Sequence, residues 1–322
     1  MNGCARRGDE PAGLQLLRRK KVGVLCGGWS AERPISLRSG AAVAMSLRRM
    51  RIPHAVIDVT RRVSEQLRRA RIDVAFLAMH GPYGEDGTLQ GALEMMGLPY
   101  TGSGVLASAT AMHKPTAKRL FQSAGLPTPP WKIVGAGERN PKIPFSGPWV
   151  VKPASQGSAI GITIVRRKSE WQKALRAAAR LEKEVLVEKF VPGTEVTVAV
   201  LDQRCLPVIE IVPKHRYYDF YSKYAAGGSR HIIPARLPRA VLKKVSELSL
   251  AAFRTLGCRH LARVDLIVPG QGRPQILEVN TLPGLTNTSL FPDAARATGM
   301  DFNHLILEML RMSLRDAGRK TG

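Results

Sequence analysis

Two apolar segments near the end of the chain carry side chains whose types and spacing could bind a metal ion. LARVDLIV (261–268) and PQILEVN (274–280) flank the turn PGQGRP, a pattern typical of a β-hairpin. Antiparallel pairing about this turn would set Asp265 opposite Glu278 and Arg263 opposite Asn280, with all four side chains on one face. Hard oxygen ligands on a sheet suit Mg²⁺, which takes one or two protein carboxylates and completes its shell with phosphate and water oxygens.

The other face of the predicted hairpin is apolar and consists of Val264, Leu266, Leu277 and Val279. A single Asp/Glu pair would more often belong to a solvated strand face with ion pairs. Asn280 and Arg263 lie in register with this pair, which favours a binding site. Placing four polar or charged side chains together on one face costs free energy unless a ligand binds there.

A strand–loop–strand segment, PWVVKPASQGSAIGITIV, could approach a phosphate group. Gly157, Ser158 and Gly161 could present backbone N–H groups, and Lys152 on the preceding strand would add positive charge. The segment is not a Walker loop, because GxxxxGK[ST] occurs nowhere in the chain. Ordinary hairpin turns use the same residues, so this loop alone does not show whether it binds phosphate or only connects two strands.

The first part of the chain alternates strands and helices, which predicts a doubly wound parallel sheet. The strands are KKVGVLCGG, HAVIDV and IDVAFLAM. Ligands of such sheets gather at the C-terminal ends of the strands. Glu32 follows the first strand and His80 follows the third, so both lie at that edge. Taken alone, a Glu near the start of a helix is more often a helix cap, and a single His is more often a structural residue of the core.

Four stretches divide the chain in this interpretation. They are an N-terminal extension expected to be loosely ordered (1–20), an N-terminal α/β domain (21–110), a central part (111–200) and a C-terminal part that holds the hairpin (201–322). A Tyr- and Lys-rich loop, KHRYYDFYSKYAAGGSRHIIPA, interrupts the C-terminal part. Long polar loops of this kind often close over active sites.

The composition indicates a soluble globular protein. Apolar residues make up 44% of 322, and no apolar run reaches the about 18 residues that span a bilayer. The N-terminus lacks the apolar region of a secretory signal. The four cysteines are too few and too scattered for a disulfide framework or a zinc site, which favours a cytoplasmic location.

The net charge of +24 could indicate a nucleic-acid or membrane-surface protein. Residues 1–71 hold 16 Lys/Arg against 5 Asp/Glu, many of them in arginine pairs. The pairs lack interleaved aromatic residues, and the chain has neither zinc-finger spacing nor an RNA-recognition signature. We therefore expect an arginine-rich solvated surface, with no nucleic-acid or membrane partner.

Six motifs together resemble the D-alanine–D-alanine ligases of the ATP-grasp superfamily. They are GGWSAERPISLRSG, HGPYGEDGTLQG, VKPASQGSAIGI, VLVEKFVPGTEVTVAVL, YYDFYSKY and LARVDLI…LEVNTLPGLTNTSL. They follow the family order from residue 21 to about residue 313. The resemblance implies an α/β fold in which an N-terminal doubly wound parallel sheet precedes a two-part ATP-grasp fold.

The resemblance also implies the reaction. ATP would phosphorylate the carboxylate of one D-alanine, and the amine of a second would attack the acyl phosphate to give D-alanyl-D-alanine for peptidoglycan. Two Mg²⁺ or Mn²⁺ ions would assist, held by Asp265, Glu278 and Asn280. The protein would be a homodimer.

Residue by residue, the resemblance assigns two groups of contacts. For ATP it implies Lys114, Lys152, Ser155, Gly157, Ser158, Glu188, Lys189, Val191, Glu195 and Lys223. For the amino acids and catalysis it implies Glu32, His80, Ser158, Tyr224, Arg263, Gly284, Ser289 and Leu290. Glu32, Ser158 and Tyr224 would form a hydrogen-bonded triad, while Arg263 and the Gly284 N–H would form an oxyanion hole.

Two other functions stay open at this point. A related enzyme could join D-alanine to D-lactate or to D-serine, and Tyr224 within YSKY favours the dipeptide. A catalytically inactive, basic nucleic-acid-binding protein on the same fold is suggested only by the charge, and the complete set of site residues argues against it.

Overall fold

The structure, a computed structural model, describes residues 13–135, 137–138, 141–213, 228–286 and 288–320. The N-terminal elements are α1 (Leu14–Arg18), β1 (Val22–Gly27), α2 (Arg33–Arg49), β2 (His54–Val59), α3 (Val63–Ala70), β3 (Val74–Leu77), α4 (Thr88–Met95) and α5 (Val105–Met112). The central elements are α6 (Lys114–Ser123), β4 (Trp131–Gly135), β5 (Trp149–Pro153), β6 (Thr163–Val165), α7 (Trp171–Ala179) and β7 (Glu184–Lys189), with a 3₁₀ turn at Lys168–Glu170. The C-terminal elements are β8 (Thr194–Leu201), β9 (Arg204–Cys205), β10 (Ile209–Pro213), β11 (Ser229–Ile232), α8 (Arg239–Thr255), β12 (Leu261–Val268), β13 (Gln275–Asn280), α9 (Leu290–Arg296) and α10 (Phe302–Lys320).

The N-terminal sheet is parallel, as the strand–helix alternation predicts, with strand order β2-β1-β3. Residues of α2 and α10 pack on one face, whereas Leu67 of α3 packs on the other. Ser36 in α2 joins the ends of two strands, because its hydroxyl accepts from the Gly27 N–H (2.8 Å) and donates to the Ala78 carbonyl (2.7 Å). This bonding holds the C-terminal edge of the sheet together.

Two antiparallel sheets follow along the chain. The first has strand order β4-β7-β5-β6 and is covered by α7. The second runs β11-β10-β8-β12-β13, with β9 paired to β8, and is covered by α8. A parallel sheet followed by two antiparallel sheets is the architecture expected from the sequence.

The pairing of β8 affects where the boundary between the central and C-terminal parts of the chain should be placed. All of β8 pairs with β12 from Leu261↔Leu201 to Val268↔Thr194, so a boundary at residue 200 would cut a strand of the second antiparallel sheet. The change of sheet occurs in the link between Lys189 and Thr194. We therefore propose to divide the central and C-terminal parts at that link.

The N-terminal extension contributes to the core from residue 14 onward. Leu14 and Leu17 of α1 are buried in a cluster with Val43, Leu47 and residues of α10. The expectation of a loosely ordered segment up to residue 20 is therefore wrong for 14–20, because the two leucines one helical turn apart give α1 an apolar face. No helix in the described part of the chain is long and apolar enough to span a membrane.

Candidate active site

A single cavity brings together predicted residues from both ends of the chain. Its lining includes Glu32, His80, Lys114, Gly157, Ser158, Arg263, Glu278, Asn280, Gly284, Ser289 and Leu290. Glu32 and His80 come from the C-terminal edge of the parallel sheet, and the last six residues come from β12, β13 and the segment that leads into α9. The cavity therefore lies between the N-terminal and C-terminal parts.

The hairpin pairs in the predicted register at its polar residues, with Arg263 opposite Asn280 and Asp265 opposite Glu278. Arg263 donates two hydrogen bonds to Asp265, from Nε to Oδ1 (2.9 Å) and from Nη2 to Oδ2 (2.8 Å). Thr197 in the neighbouring strand β8 donates its hydroxyl proton to Asp265 Oδ1 at 2.6 Å. These bonds fix the orientation of the Asp265 carboxylate.

The predicted apolar face of the hairpin is wrong at Leu277. The register shifts after Asp265, so that Leu266 pairs with Ile276 and Leu277 becomes the extra residue of a bulge. Ile276 takes the buried place in the core, and Leu277 instead lines a second cavity beside Asp265 and Glu278. Because of the bulge, the turn between the paired residues Ile267 and Gln275 is one residue shorter than it would be if the pairing continued without a shift.

The predicted metal ligands form a set of hard oxygen donors. Glu278 Oε2 lies 3.6 Å from Lys114 Nζ, and Asn280 Oδ1 accepts the Leu282 N–H at 2.9 Å. Within the described residues, no group of three or more His, Cys, Asp and Glu side chains could hold a metal ion. Two carboxylates and a carboxamide suit Mg²⁺, which relies on substrate phosphates for its remaining ligands. The residues present therefore fit that ion.

The Gly/Ser loop reaches across the cavity to Glu32. The Ser158 hydroxyl donates a hydrogen bond to Glu32 Oε1, and both residues are buried. Ser158 and Ala159 adopt left-handed backbone conformations (φ 53° and 58°), which turn the loop toward Glu32. A Cβ at Gly157 would lie 2.9 Å from Glu32 Oε2, so glycine permits this close approach.

A buried ion cluster positions Lys152 on the other side of the site. The Glu188 carboxylate lies between Lys118 Nζ (2.5 Å) and Lys152 Nζ (2.6 Å), and all three side chains are at most 7% exposed. Burial alone would raise the pKa of Glu188, but the two ammonium groups outweigh it and hold that pKa below its usual value. Lys114 is held separately, because its Nζ donates to the Gln156 carbonyl at 2.7 Å.

His80 is fixed by a chain of buried hydrogen bonds. Its Nδ1 lies 3.2 Å from Glu85 Oε1 and its Nε2 lies 3.1 Å from Ser39 Oγ, which also accepts the Leu285 N–H at 3.4 Å. Burial raises the pKa of Glu85, and the nearby charge of Glu32 adds to that rise. The chain links the parallel sheet to the segment that follows the hairpin.

Ser289 and Gly284 are in contact in that segment. Ser289 Oγ accepts the Thr286 N–H (3.0 Å) and lies 2.8 Å from Thr286 Oγ1. A Cβ on Gly284 would come within 2.9 Å of Ser289 Oγ. Ser289 immediately precedes α9, whose first residue, Leu290, is buried.

The second cavity adjoins the first and shares Lys114 and Glu278 with it. Its other lining residues are Lys152, Gln156, Ala159, Ile160, Ile162, Glu195, Asp265 and Leu277. One lysine and one of the proposed metal ligands thus lie where the cavities meet, while Lys152 and Asp265 line the second cavity alone. Apolar side chains and Glu195 make up much of the rest.

All of the predicted nucleotide contacts stay predictions, and four of them, at residues 155, 188, 189 and 191, line neither cavity. The Ser155 N–H donates to Glu182 Oε2 at 2.7 Å and the Lys189 N–H donates to the Pro130 carbonyl at 2.8 Å, so both are engaged within the protein. The Glu188 carboxylate faces Lys118 and Lys152. Val191 follows β7 in a partly exposed link. Lys223 and Tyr224 lie outside the described residues.

Sequence reasoning missed four residues that hold the site together. They are Ser39, Glu85, Lys118 and Thr197. Lys118 carried a signal, because two lysines four residues apart, at 114 and 118, put like charges on one face of a helix. Glu85 also carried one, as a second carboxylate just past the third strand. Ser39 and Thr197 had none before their neighbours were known.

Comparison with known proteins identifies the family. The family description "D-ala D-ala ligase C-terminus" matches residues 120–311, and "D-ala D-ala ligase N-terminus" matches residues 59–103. The chain belongs to the D-alanine–D-alanine ligase family. The resemblance found in the sequence is therefore confirmed.

Curated relatives of this ligase family match almost end to end. A D-alanine–D-alanine ligase from Geotalea uraniireducens is 49% identical over 296 residues, which is 91% of this chain and 96% of that protein. One from Desulforudis audaxviator is 50% identical over 302 residues, or 91% of this chain and 98% of that protein.

Solved ligase structures match the fold as well. The Bacillus anthracis ligase superposes with a TM-score of 0.84 at 35% identity, over 94% of this chain and 99% of that one. The same ligase complexed with ATP gives a TM-score of 0.80 at 33% identity over the same shares. The predicted ATP-grasp fold class is confirmed.

Proposed function

We propose that this protein is an ATP-dependent ligase that joins two D-alanine molecules into D-alanyl-D-alanine for peptidoglycan synthesis. The first D-alanine would be activated as an acyl phosphate, and ADP and phosphate would be released. Family membership supports the overall reaction, and the contacts and burial of the individual side chains support the role of each group.

The observation that carries the proposal is the junction of the two cavities. The first is lined by a buried carboxylate and by the groups of an oxyanion site, whereas the second is lined by lysines and by Glu195. Lys114 and Glu278 line both. A phosphoryl group that passes from a nucleotide in the second cavity to a carboxylate in the first would cross this junction.

Glu32 would bind the ammonium group of the first D-alanine. Its carboxylate is 4% exposed and is oriented by the Ser158 hydroxyl. A buried carboxylate gains most by pairing with a cation that enters its cavity. His80, fixed between Glu85 and Ser39, would border the same substrate.

Lys152 and Lys114 would place positive charge along the transferring phosphoryl group. Glu188 prevents Lys152 from turning away, and the Gln156 carbonyl does the same for Lys114. Mg²⁺ or Mn²⁺, two ions by analogy with the family, would be held by Asp265, Glu278 and Asn280 and would offset charge on the phosphates.

Arg263 and the Gly284 N–H would bind the oxyanion that forms when the second amine attacks the acyl phosphate. Asp265 fixes the plane of the Arg263 guanidinium through two hydrogen bonds. Donors fixed in place before the reaction stabilise developing charge without reorganisation. Ser289, whose hydroxyl contacts Thr286, would meet the carboxylate of the second D-alanine together with Leu290.

The test is phosphate release from ATP with D-alanine alone, compared with D-alanine plus D-lactate and D-alanine plus D-serine, with products identified by mass. We expect release with D-alanine alone and formation of the dipeptide. Release only with a mixed pair would reassign the second substrate. The absence of release in every reaction, from protein with an intact thermal unfolding transition, would overturn the proposal.

A homodimer is part of the proposal and rests on the resemblance to the family. Sedimentation equilibrium of the purified protein measures it directly. A mass of twice 35.2 kDa is expected, and a mass that stays at 35.2 kDa at all protein concentrations would contradict it.

A further inference from the structure

The three connections that enter the strands of the parallel sheet are all strongly basic. In a parallel sheet these connections lie at the N-terminal edge of the strands, opposite the edge where ligands bind. Here the first residues of the strands are aligned, because Val22 pairs with both His54 and Val74. We call this surface the basic edge; it comprises Arg18, Arg19, Lys20, Lys21, Arg48, Arg49, Arg51, Arg68, Arg69 and Arg71.

Hydrogen bonds place the three connections side by side. Arg18 Nε donates to the carbonyl of Met50, in the connection into β2, at 3.2 Å. Lys21 Nζ donates to the carbonyl of Ala70, in the connection into β3, at 2.8 Å. The sequence showed arginine pairs scattered over fifty residues, whereas the fold gathers them on one surface.

Among the residues that the structure describes, few carboxylates balance the positive charge of the basic edge. Asp73 lies 3.5 Å from Lys20 Nζ, and Glu65 lies 2.6 Å from Arg69 Nη2. For the exposed arginines at 48, 49, 51, 68 and 71, the described residues provide no carboxylate partner. Such a concentration of like charge costs stability through self-repulsion unless an anionic partner is present.

Backbone strain supports a role for these arginines. Arg51, which follows Met50 at the end of α2, and Arg71, which directly follows α3, adopt left-handed conformations with φ of 57° and 46°. Glycine is the usual residue at such positions, because a Cβ there is unfavourable. Both connections carry arginine instead, so charge is retained at a cost in local conformation.

Although the sequence alone led us to expect no membrane partner, we propose that the basic edge docks the protein on the surface of an anionic lipid bilayer. The segments 14–21, 48–54 and 68–73 contain no Phe, Tyr or Trp, so base stacking is not available to a single-stranded nucleic acid. Helices α2 and α3 reach the edge only with their C-terminal ends and pack their sides on the sheet, which leaves no helix to enter a major groove.

A broad cationic surface without a specific pocket suits lipid headgroups, which it attracts at a distance of several ångströms. Leu16, 54% exposed on α1 just before the cations, would add an apolar contact at the headgroup boundary. The substrate cavity opens at the opposite edge of the sheet, about 20 Å away for the six-residue strand β1. A docked molecule would therefore keep its active site accessible.

The test is co-sedimentation of the full-length protein with vesicles of phosphatidylcholine that contain about 30% phosphatidylglycerol, compared with pure phosphatidylcholine. The variant combines Arg48→Gln, Arg49→Gln and Arg68→Gln. A matched control combines Lys173→Gln, Arg176→Gln and Lys183→Gln, which remove the same charge at exposed positions in and after α7, outside the basic edge.

We expect the protein to bind only the anionic vesicles, with affinity that falls between ~50 and ~300 mM salt. The basic-edge variant should bind at least ~10-fold more weakly, and the control should bind nearly as well as the unaltered protein. Equal binding to neutral vesicles, or equal losses in both variants, would overturn the proposal. So would tighter binding, at equal salt, to a DNA or RNA duplex than to the anionic vesicles.

A second variant, Arg51→Gly with Arg71→Gly, separates charge from folding. Glycine relieves the left-handed strain, and the loss of two positive charges reduces the self-repulsion of the surface. The melting temperature of this variant should therefore not fall. Weaker vesicle binding with an unchanged or higher melting temperature supports the basic edge as the docking surface. Unchanged vesicle binding in this variant would count against it.

Phosphate release from ATP should be unaltered in both basic-edge variants, which separates this test from that of the ligase reaction.

Discussion

At the scale of single residues, the site consists of charged groups that position one another. Asp265 orients Arg263, Glu188 holds two lysines, and Ser158 orients Glu32. Each functional group is thus fixed before substrate arrives, as stabilisation of a short-lived charged state requires.

Arg263→Ala should lower kcat by at least ~10²-fold, because it removes the donor that we propose for the oxyanion. It also leaves Asp265 without the guanidinium that fixes its two oxygens. Steady-state kinetics with saturating D-alanine and varied ATP measure the effect. The matched control is Arg236→Ala, which breaks a similar two-point pair with Glu210 on another strand. A loss confined to the KM for ATP would remove Arg263 from the oxyanion site.

Glu188→Gln should destabilise the protein by about 3–5 kcal/mol, because it leaves the buried ammonium groups of Lys118 and Lys152 without their counter-charge. Urea unfolding at neutral pH measures the change. Glu184→Gln on the same strand is the control, since its exposed pair with His113 should be worth about 0–1 kcal/mol. Equal effects of the two substitutions would contradict the buried cluster.

The sequence indicated candidate site residues more readily than the residues that position them. Pairing of Asp265 with Glu278 followed from one turn and the alternation of side chains. Thr197 contacts Asp265 across a pairing between strands more than 60 residues apart, and no local pattern specifies that register. Positioning contacts of this kind depend on the tertiary structure.

At the scale of elements, the hairpin and the segment after it form about half of the lining of the first cavity. The bulge at Leu277 was not predictable, because a Pro/Gly turn can close with different numbers of residues on its two sides. The parallel sheet was predictable, since its strand–helix alternation admits few arrangements. Gly284 and Ser289 then lie next to each other, since a Cβ on Gly284 would come within 2.9 Å of Ser289 Oγ.

Gly284→Ala should lower kcat/KM for D-alanine by about 10–100-fold, because the new Cβ would displace Ser289, and small displacements of positioning groups are costly. The KM for ATP should change little. Kinetics with each substrate varied separately check both values. Gly270→Ala, in the hairpin turn with nothing within 4 Å of its Cβ, is the control and should be nearly neutral. Normal D-alanine kinetics in Gly284→Ala would remove this segment from the second-substrate site.

At the scale of the whole molecule, the core joins the two ends of the chain. One cluster contains Leu14 and Leu17 of α1, residues of β1 and β3, and the apolar face of α10. The N-terminal sheet is therefore not closed by its own helices alone. The sequence motifs could not show this, because the segments concerned are separated by nearly the full length of the chain.

Leu17→Ala should lower the free energy of unfolding by about 2–5 kcal/mol, since the side chain is fully buried beneath α10. Leu16→Ala, one residue away and 54% exposed, is the control and should change stability by less than about 0.5 kcal/mol. Chemical denaturation of both variants compares them. Similar stabilities would restore the view of residues 14–20 as a loose extension.

The position of α10 has a consequence for synthesis on the ribosome. The last strand of the parallel sheet ends at Leu77, but the helix that covers one of its faces ends at Lys320. At about 5–20 residues per second, roughly 10–50 s of translation separate the two. During that interval the nascent chain exposes the part of that face that α2 leaves uncovered, and apolar surface of this kind is prone to aggregate until the last helix emerges.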